Sequence, residues 1–179
     1  MTKITQDDDG TFRLSPGEPE PEPPHDKHKF FQDRLLASQA SVDAVADHLR
    51  KRGLQVEVPE LYVPATASAG QADAGDILVT NADGLERRVE VKCYPSRRWG
   101  NLEWCVYGLV IDRVAVFDEK DPVPYCYYIT DADLQVARVF MISDWEKVYT
   151  HPIRCANTQE LNDCYLAHPK HFKVVSLNG

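Results

Sequence analysis

The chain has 179 residues, of which 43% are hydrophobic and 27% charged, with a formal net charge of −8. This size and balance predict one soluble domain with an ordinary core, and no apolar run approaches the roughly 18 residues of a membrane span. Met1-Thr2-Lys3-Ile4-Thr5 lacks the apolar core of a signal peptide, so a cytoplasmic location is expected.

In chain order, residues 1–27 read as a disordered acidic, Pro-rich tail. Asp7-Asp8-Asp9 is a solvated acidic run, and Pro19, Pro21, Pro23 and Pro24 favour an extended polyproline conformation. Residues 1–26 hold seven acids and two bases (Lys3 and Arg13), a balance of −5. The other residues, 27–179, therefore carry only −3 of the total, so overall acidity does not exclude nucleic acid. Basic residues gather at Arg50-Lys51-Arg52, Arg87-Arg88 and Arg97-Arg98, and such a rim can bind phosphates on a mildly acidic domain.

Residues 28–179 form the predicted domain. From Phe30 to Arg52, Leu35, Leu36, Val42, Val45, Ala46 and Leu49 recur at three- and four-residue intervals, which predicts a helix stopped by Gly53. Leu54 to Val58 alternates as a strand closed by Pro59, and residues 60–75 read as a loop. Gly75-Asp76-Ile77-Leu78-Val79 and Val89-Glu90-Val91-Lys92 are the next two strands. Asn81-Ala82-Asp83-Gly84 between them has the chemistry of a type I turn with a glycine bulge, Gly84 taking the left-handed position. That loop pairs Asn81 with Leu85. It therefore sets Asp76 opposite Glu90, with Lys92 the diagonal neighbour of Asp76. In the same register Ile77, Val79, Val89 and Val91 share the opposite, apolar face.

Leu109–Phe117, Tyr125–Ile129 and Ala137–Ile142 are β-rich, with Asp131-Ala132-Asp133 a tight connection. Cys164–Leu177 predicts another strand or two. Trp104, Tyr107, Tyr125 and Tyr127 are expected in the core and at its border. The five cysteines show no paired spacing. Cys155, Cys164, His168 and His171 match no common zinc module, so a zinc site there is a minor alternative.

Two carboxylates beside an ammonium suit a divalent metal and a phosphodiester. The carboxylates hold the metal, and the ammonium stabilises developing negative charge. A solvated hairpin face with cross-strand ion pairs is the plain alternative. Asp76, then Glu90-Val91-Lys92, preceded by a helix and a strand, resembles the PD-(D/E)XK nuclease superfamily, with a texture similar to its small phage-encoded members. The resemblance covers residues 28–93. It implies an α/β fold with a central mixed β-sheet flanked by helices, restriction-endonuclease-like. It also implies Asp76, Glu90 and Lys92 as catalytic residues, and a Mg²⁺ (or Mn²⁺) cofactor held by Asp76, Glu90 and the Val91 carbonyl. Gly75 stands where many members have proline. Many members also carry an acid on the first helix, and Asp43 is the nearest candidate.

Arg88, Arg97, Arg98 and Trp99 are candidates for nucleic-acid contact. The expected partner is DNA, with RNA and a homodimer left open. A catalytically inactive module of the same fold, binding DNA or a protein, is the alternative.

Overall fold

The structure is a computed structural model. It describes residues 2–6, 12–16, 27–59, 77–94, 108–154 and 160–178, with side chains from residue 38 onward. Strands β1 (Thr2–Gln6) and β2 (Phe12–Pro16) form a two-stranded antiparallel ladder within the segment read as a tail. Helix α1 (Lys27–Lys51) leads to β3 (Gln55–Glu57), β4 (Ile77–Thr80) and β5 (Glu86–Tyr94). Next come β6 (Leu109–Arg113), the single turn α2 (Val114–Phe117), β7 (Cys126–Asp131) and β8 (Val136–Met141). A 3₁₀ segment (Ile142–Lys147), β9 (Val148–Arg154), β10 (Leu161–Ala167) and β11 (Lys173–Ser176) complete the order.

Six strands form one mixed sheet in the order β11-β8-β7-β5-β4-β3, and three form an antiparallel sheet in the order β6-β10-β9. All neighbours in the larger sheet are antiparallel except β5 and β7, which run parallel at its centre. A parallel pair needs a crossover rather than a hairpin, and β6 and α2 lie between β5 and β7 in chain order.

Helix α1 lies on one face of the large sheet. Val42, Val45, Ala46 and Leu49 recur at helical spacing and are buried against Ile77, Val79, Val89, Val91, Cys126, Tyr128, Ala137 and Val139. Full burial of each of the larger aliphatic side chains is worth about 1.5–3 kcal/mol. The helix stops as its sequence requires. Gly53 takes φ 81°, its N–H donates to the Arg50 carbonyl at 2.9 Å, and the Leu54 N–H donates to Leu49 at 3.3 Å. These two bonds make a Schellman cap.

The β4–β5 hairpin adopts the expected register, with Ile77 opposite Val89 and Thr80 opposite Glu86. Gly84 has φ 76°, and the Asn81 side-chain oxygen accepts from the Asp83 and Leu85 N–H groups at 3.0 Å each. The turn thereby puts Val89 and Val91 on the helix side and Arg88, Glu90 and Lys92 on the other.

That other face is covered by the small sheet. Leu109, Ile111 and Ala167 pack on Tyr127, Ile129 and Phe140 in a second core. Helices were expected to flank the sheet. Among the described residues one long helix covers one face, and strands cover the other, so the molecule is broadly α/β but mostly sheet. Two local expectations change as well. The β-rich run Leu109–Phe117 ends as a strand at Arg113 and turns helical through α2. Strand β9, which the patterning did not predict, is an edge strand of the small sheet, the position in a sheet where a proline such as Pro152 is accommodated.

His48 is 7% exposed on α1, 6.3 Å from the Tyr128 ring, and neither imidazole nitrogen has a well-aligned hydrogen-bond partner. Burial first, then the Arg52 and Lys51 charges, lower its pKa below 6.5, against a smaller opposing contribution from the Ser176 backbone. The unfolded chain therefore takes up this proton first. Stability from neutral His48 is fully present above pH 6.5 and declines as pH falls below it. Urea unfolding at pH 7.5 and pH 5 should show a smaller pH-dependent loss in His48→Phe than in the wild type. Equal losses would contradict this assignment.

Candidate charged site between the sheets

An apolar layer between two sheets is a costly place for ions, yet the face of β5 opposite α1 carries three charged residues in alternation. Glu90 is 1% exposed and Arg88 7%. Glu90 Oε1 lies 2.6 Å from Arg88 Nη2 and 2.8 Å from Lys120 Nζ. These contacts are charge pairings rather than aligned hydrogen bonds, since neither Oε1 nor Arg88 Nε has a well-directed hydrogen-bond partner.

Asp112 arrives from β6 and is 5% exposed. Its neighbour Ile111 is also fully buried, which strict strand alternation forbids. The ladder explains it. Tyr165 pairs with Asp112, but the next residue, Leu166, pairs with Val110, so Ile111 is an extra residue in a β-bulge. A bulge re-aims a side chain, and here it brings the carboxylate inward.

Asp112 Oδ1 lies 3.1 Å from Lys92 Nζ and accepts from the Arg113 N–H at 3.0 Å. Its Oδ2 accepts from the Tyr127 hydroxyl at 3.1 Å and lies 3.7 Å from Lys120 Nζ. Burial, then the Asp112 and Glu90 charges, raise the Tyr127 pKa, so the hydroxyl keeps its proton and stays a donor. Lys92, 33% exposed at its side chain, is the part of this cluster that meets solvent. Its ammonium also sits 5.9 Å from the Tyr127 ring centroid.

Lys120 stands between the two carboxylates. The turn that carries it is held by aromatic contacts. Phe117 stacks on Trp145 with centroids 4.2 Å apart, Tyr165 meets both edge-on, and the Tyr165 hydroxyl donates to Asp118 at 3.0 Å. Beside the cluster lies a recess of about 370 Å³ lined by Arg87, Arg88, Pro122, Val123 and Tyr125 among others. The Arg87 guanidinium sits 3.9 Å from the Tyr125 ring centroid, and Tyr125 is 42% exposed.

The structure thus brings Glu90 and Lys92 to one face and joins them through Asp112 and Lys120. Asp76, Arg97, Arg98 and Trp99 lie outside the described residues, as do Trp104, Tyr107 and Cys155. Asp43 is exposed on α1, where it accepts from Gln39 at 3.0 Å, on the opposite side of the sheet from Glu90. Arg88 is not an exposed phosphate contact here, because it is buried against Glu90. The Val91 side chain packs under α1. Tyr127 is a core residue as expected, whereas Tyr125 is exposed.

Near the chain end, Cys164 is buried, its Sγ 3.5 Å from the Asn162 carbonyl, and the His168 and His171 ring centroids are 6.4 Å apart. Among the described residues no three His, Cys, Asp or Glu side chains converge as a metal site. Asp112 was missed by sequence reasoning; the one signal it offered was a lone acid closing the apolar run Leu109-Val110-Ile111, as Asp76 opens Ile77-Leu78-Val79. Lys120 sits in a charged turn and gave no signal.

Comparison with protein-family models, curated proteins and solved structures returns no match.

Removing one partner from a buried ion cluster leaves the others uncompensated, at about 3–5 kcal/mol. Glu90→Ala should lose about that much in urea unfolding, because Arg88 and Lys120 are nearly inaccessible. Lys92→Ala, at a partly exposed position, should lose about 1 kcal/mol or less. Equal small losses would mean the cluster is solvated.

Proposed function

We propose that the chain is a divalent-cation-dependent nuclease hydrolysing DNA phosphodiester bonds, of the restriction-endonuclease-like kind its Asp76 and Glu90-x-Lys92 resemble. The observation that carries this reading is the joint placement of Glu90 and Lys92, on one face of a central strand and drawn into a buried cluster of both signs. Buried ions add little net stability compared with an apolar filling, so a cluster of five points to chemistry more than to packing. The chain order supports it too. A helix and a strand ahead of the hairpin that ends in the Glu-x-Lys strand, within a mixed sheet, agree with the elements the resemblance implies. Asp76 directly precedes Ile77, the first residue of β4.

Glu90 offers carboxylate oxygen, the donor type a hard divalent cation takes, and two cationic groups hold its Oε1 in the structure, so a metal there would replace one of them. Glu90 and Asp76 would hold Mg²⁺, which when bound supplies charge neutralisation and a more acidic water. The chain's own groups do the rest. Lys92, oriented by Asp112, offers a partly exposed ammonium to the negative charge that develops on the phosphate. Arg87 and Tyr125 offer a cation and a stacking surface beside the cluster for a nucleic-acid strand.

One observation favours the alternative, a binding module without turnover: Glu90 is closed off by Arg88 and Lys120. Supercoiled plasmid, linear DNA and RNA incubated with the protein and Mg²⁺ or Mn²⁺ decide between them. The nuclease reading expects metal-dependent cleavage of DNA that Lys92→Ala lowers about 100-fold or more. Retention of DNA without cleavage supports the binding module, and cleavage unaffected by Lys92→Ala contradicts the assigned site.

A further inference from the structure

Among the described residues six large apolar side chains are well exposed, and three of them gather at one place. Val123 and Tyr125 line the recess beside the charged cluster, and Leu85 directly precedes Glu86, which lines it too. Exposed apolar residues scattered singly need no explanation, whereas a set grouped around a concavity marks a binding surface.

Tyr125 is fixed there by its backbone. Its N–H donates to the Arg88 carbonyl at 2.7 Å, and its carbonyl accepts from the Ile142 N–H at 3.1 Å. The ring is thereby held at the mouth of the recess, 42% exposed, with the Arg87 guanidinium 3.9 Å from its centroid. Arg87 and Tyr125 both present surface to the recess, and Pro122, Val123 and Ile142 supply an apolar wall. At about 370 Å³ it stands near the lower end of the roughly 300–1,000 Å³ range of small-ligand pockets. That room suits one flat ring system rather than a base pair.

We propose that this recess binds one unpaired base of a single-stranded or locally opened DNA strand, with Arg87 and Tyr125 as its stacking surface. The inference rests on the nuclease reading and gives it a substrate class, unpaired strands over intact duplex. Guanidinium and phenol planes stack on any base, and a base reaches them only after leaving its own helical stack. Charge orients the strand. Exposed Asp118, Glu119 and Asp121 belong to the turn that leads into Pro122, whereas Arg87 is the cation at the mouth, so the phosphates run on the Arg87 side. Arg88 is a wall of the recess and also the partner of Glu90. Glu90 follows it by two residues along β5, about 7 Å at the usual rise, which sets a base in the recess next to the candidate site.

The test measures binding by the full chain in EDTA, so that no cleavage intervenes. The probe is a short single-stranded DNA carrying one fluorescent adenine analogue, beside the duplex of the same sequence. Binding of the single strand should quench the analogue. Tyr125→Ala should weaken that binding about tenfold, the loss of one base stack, and Tyr125→Phe should restore it. Duplex affinity should not change in either variant. The ring is exposed and its backbone bonds do not involve the side chain, so the variants keep the fold. Binding without quenching, no binding by the wild type, or an equal loss for duplex overturns the inference. So does a dimer in DNA-free solution that Tyr125→Ala disperses, which would assign the patch to a second copy of the chain. Tyr125-dependent quenching with no cleavage once Mg²⁺ is added leaves this inference standing and removes the nuclease reading. Lys92-dependent cleavage of duplex, with single strands bound equally well by Tyr125→Ala, does the reverse.

Discussion

Glu90 sits in the apolar space between two sheets, 1% exposed, and much of the surrounding structure is arranged so that a carboxylate can be there at all. An isolated ion in that position would be strongly disfavoured, so Arg88 two residues earlier and Lys120 from a distant turn approach one of its oxygens. Lys120 extends the pairing to Asp112, and Asp112 extends it to Lys92 and Tyr127. The result is a single chain of charge through three elements and one turn. The local cost of burial is met by pairing, with one positive charge left over.

The topology explains why these groups meet. The hairpin turn at Asn81–Gly84 decides which β5 residues face α1, and with that choice Glu90 and Lys92 face the small sheet. The parallel β5–β7 pair places Tyr127 beside Glu90 in the ladder, where its hydroxyl reaches Asp112. The bulge at Ile111 then turns Asp112 inward without giving up the apolar contact that Ile111 makes. Gly108, with φ 105°, starts this strand where backbone runs so close to Ala167 and Tyr149 that a Cβ would lie 2.5 Å from the Tyr149 hydroxyl. The close approach seats β6 on β10, and β6 carries the acid.

Much of the first half of the domain was legible in the sequence, because local chemistry dictated it. Three- and four-residue apolar spacing gave α1, Gly53 gave its end, and the Asn81 turn gave a register that separates Val89 and Val91 from Glu90 and Lys92. The second half was less legible, since its order depends on contacts between distant residues. The outward pattern of β9, interrupted by Pro152, has no strand alternation to read. The inward turn of Asp112 depends on a bulge that only the pairing of β6 with β10 reveals. Arg88 looked like a surface cation because nothing in its sequence neighbourhood announces a sheet packing over it. Lys120 occupies a run of charges that reads as a solvated turn, and only the fold delivers its ammonium to the acids.

The nuclease proposed for this chain needs Glu90 and Lys92 to act together on a phosphodiester with a divalent cation. Crystals of the full chain soaked in Mn²⁺ and measured for anomalous scattering test this most directly. An anomalous peak within coordination distance of Glu90 is the expected result. Density for Arg88 and Lys120 still on Glu90, with no peak beside it at saturating Mn²⁺, would contradict it.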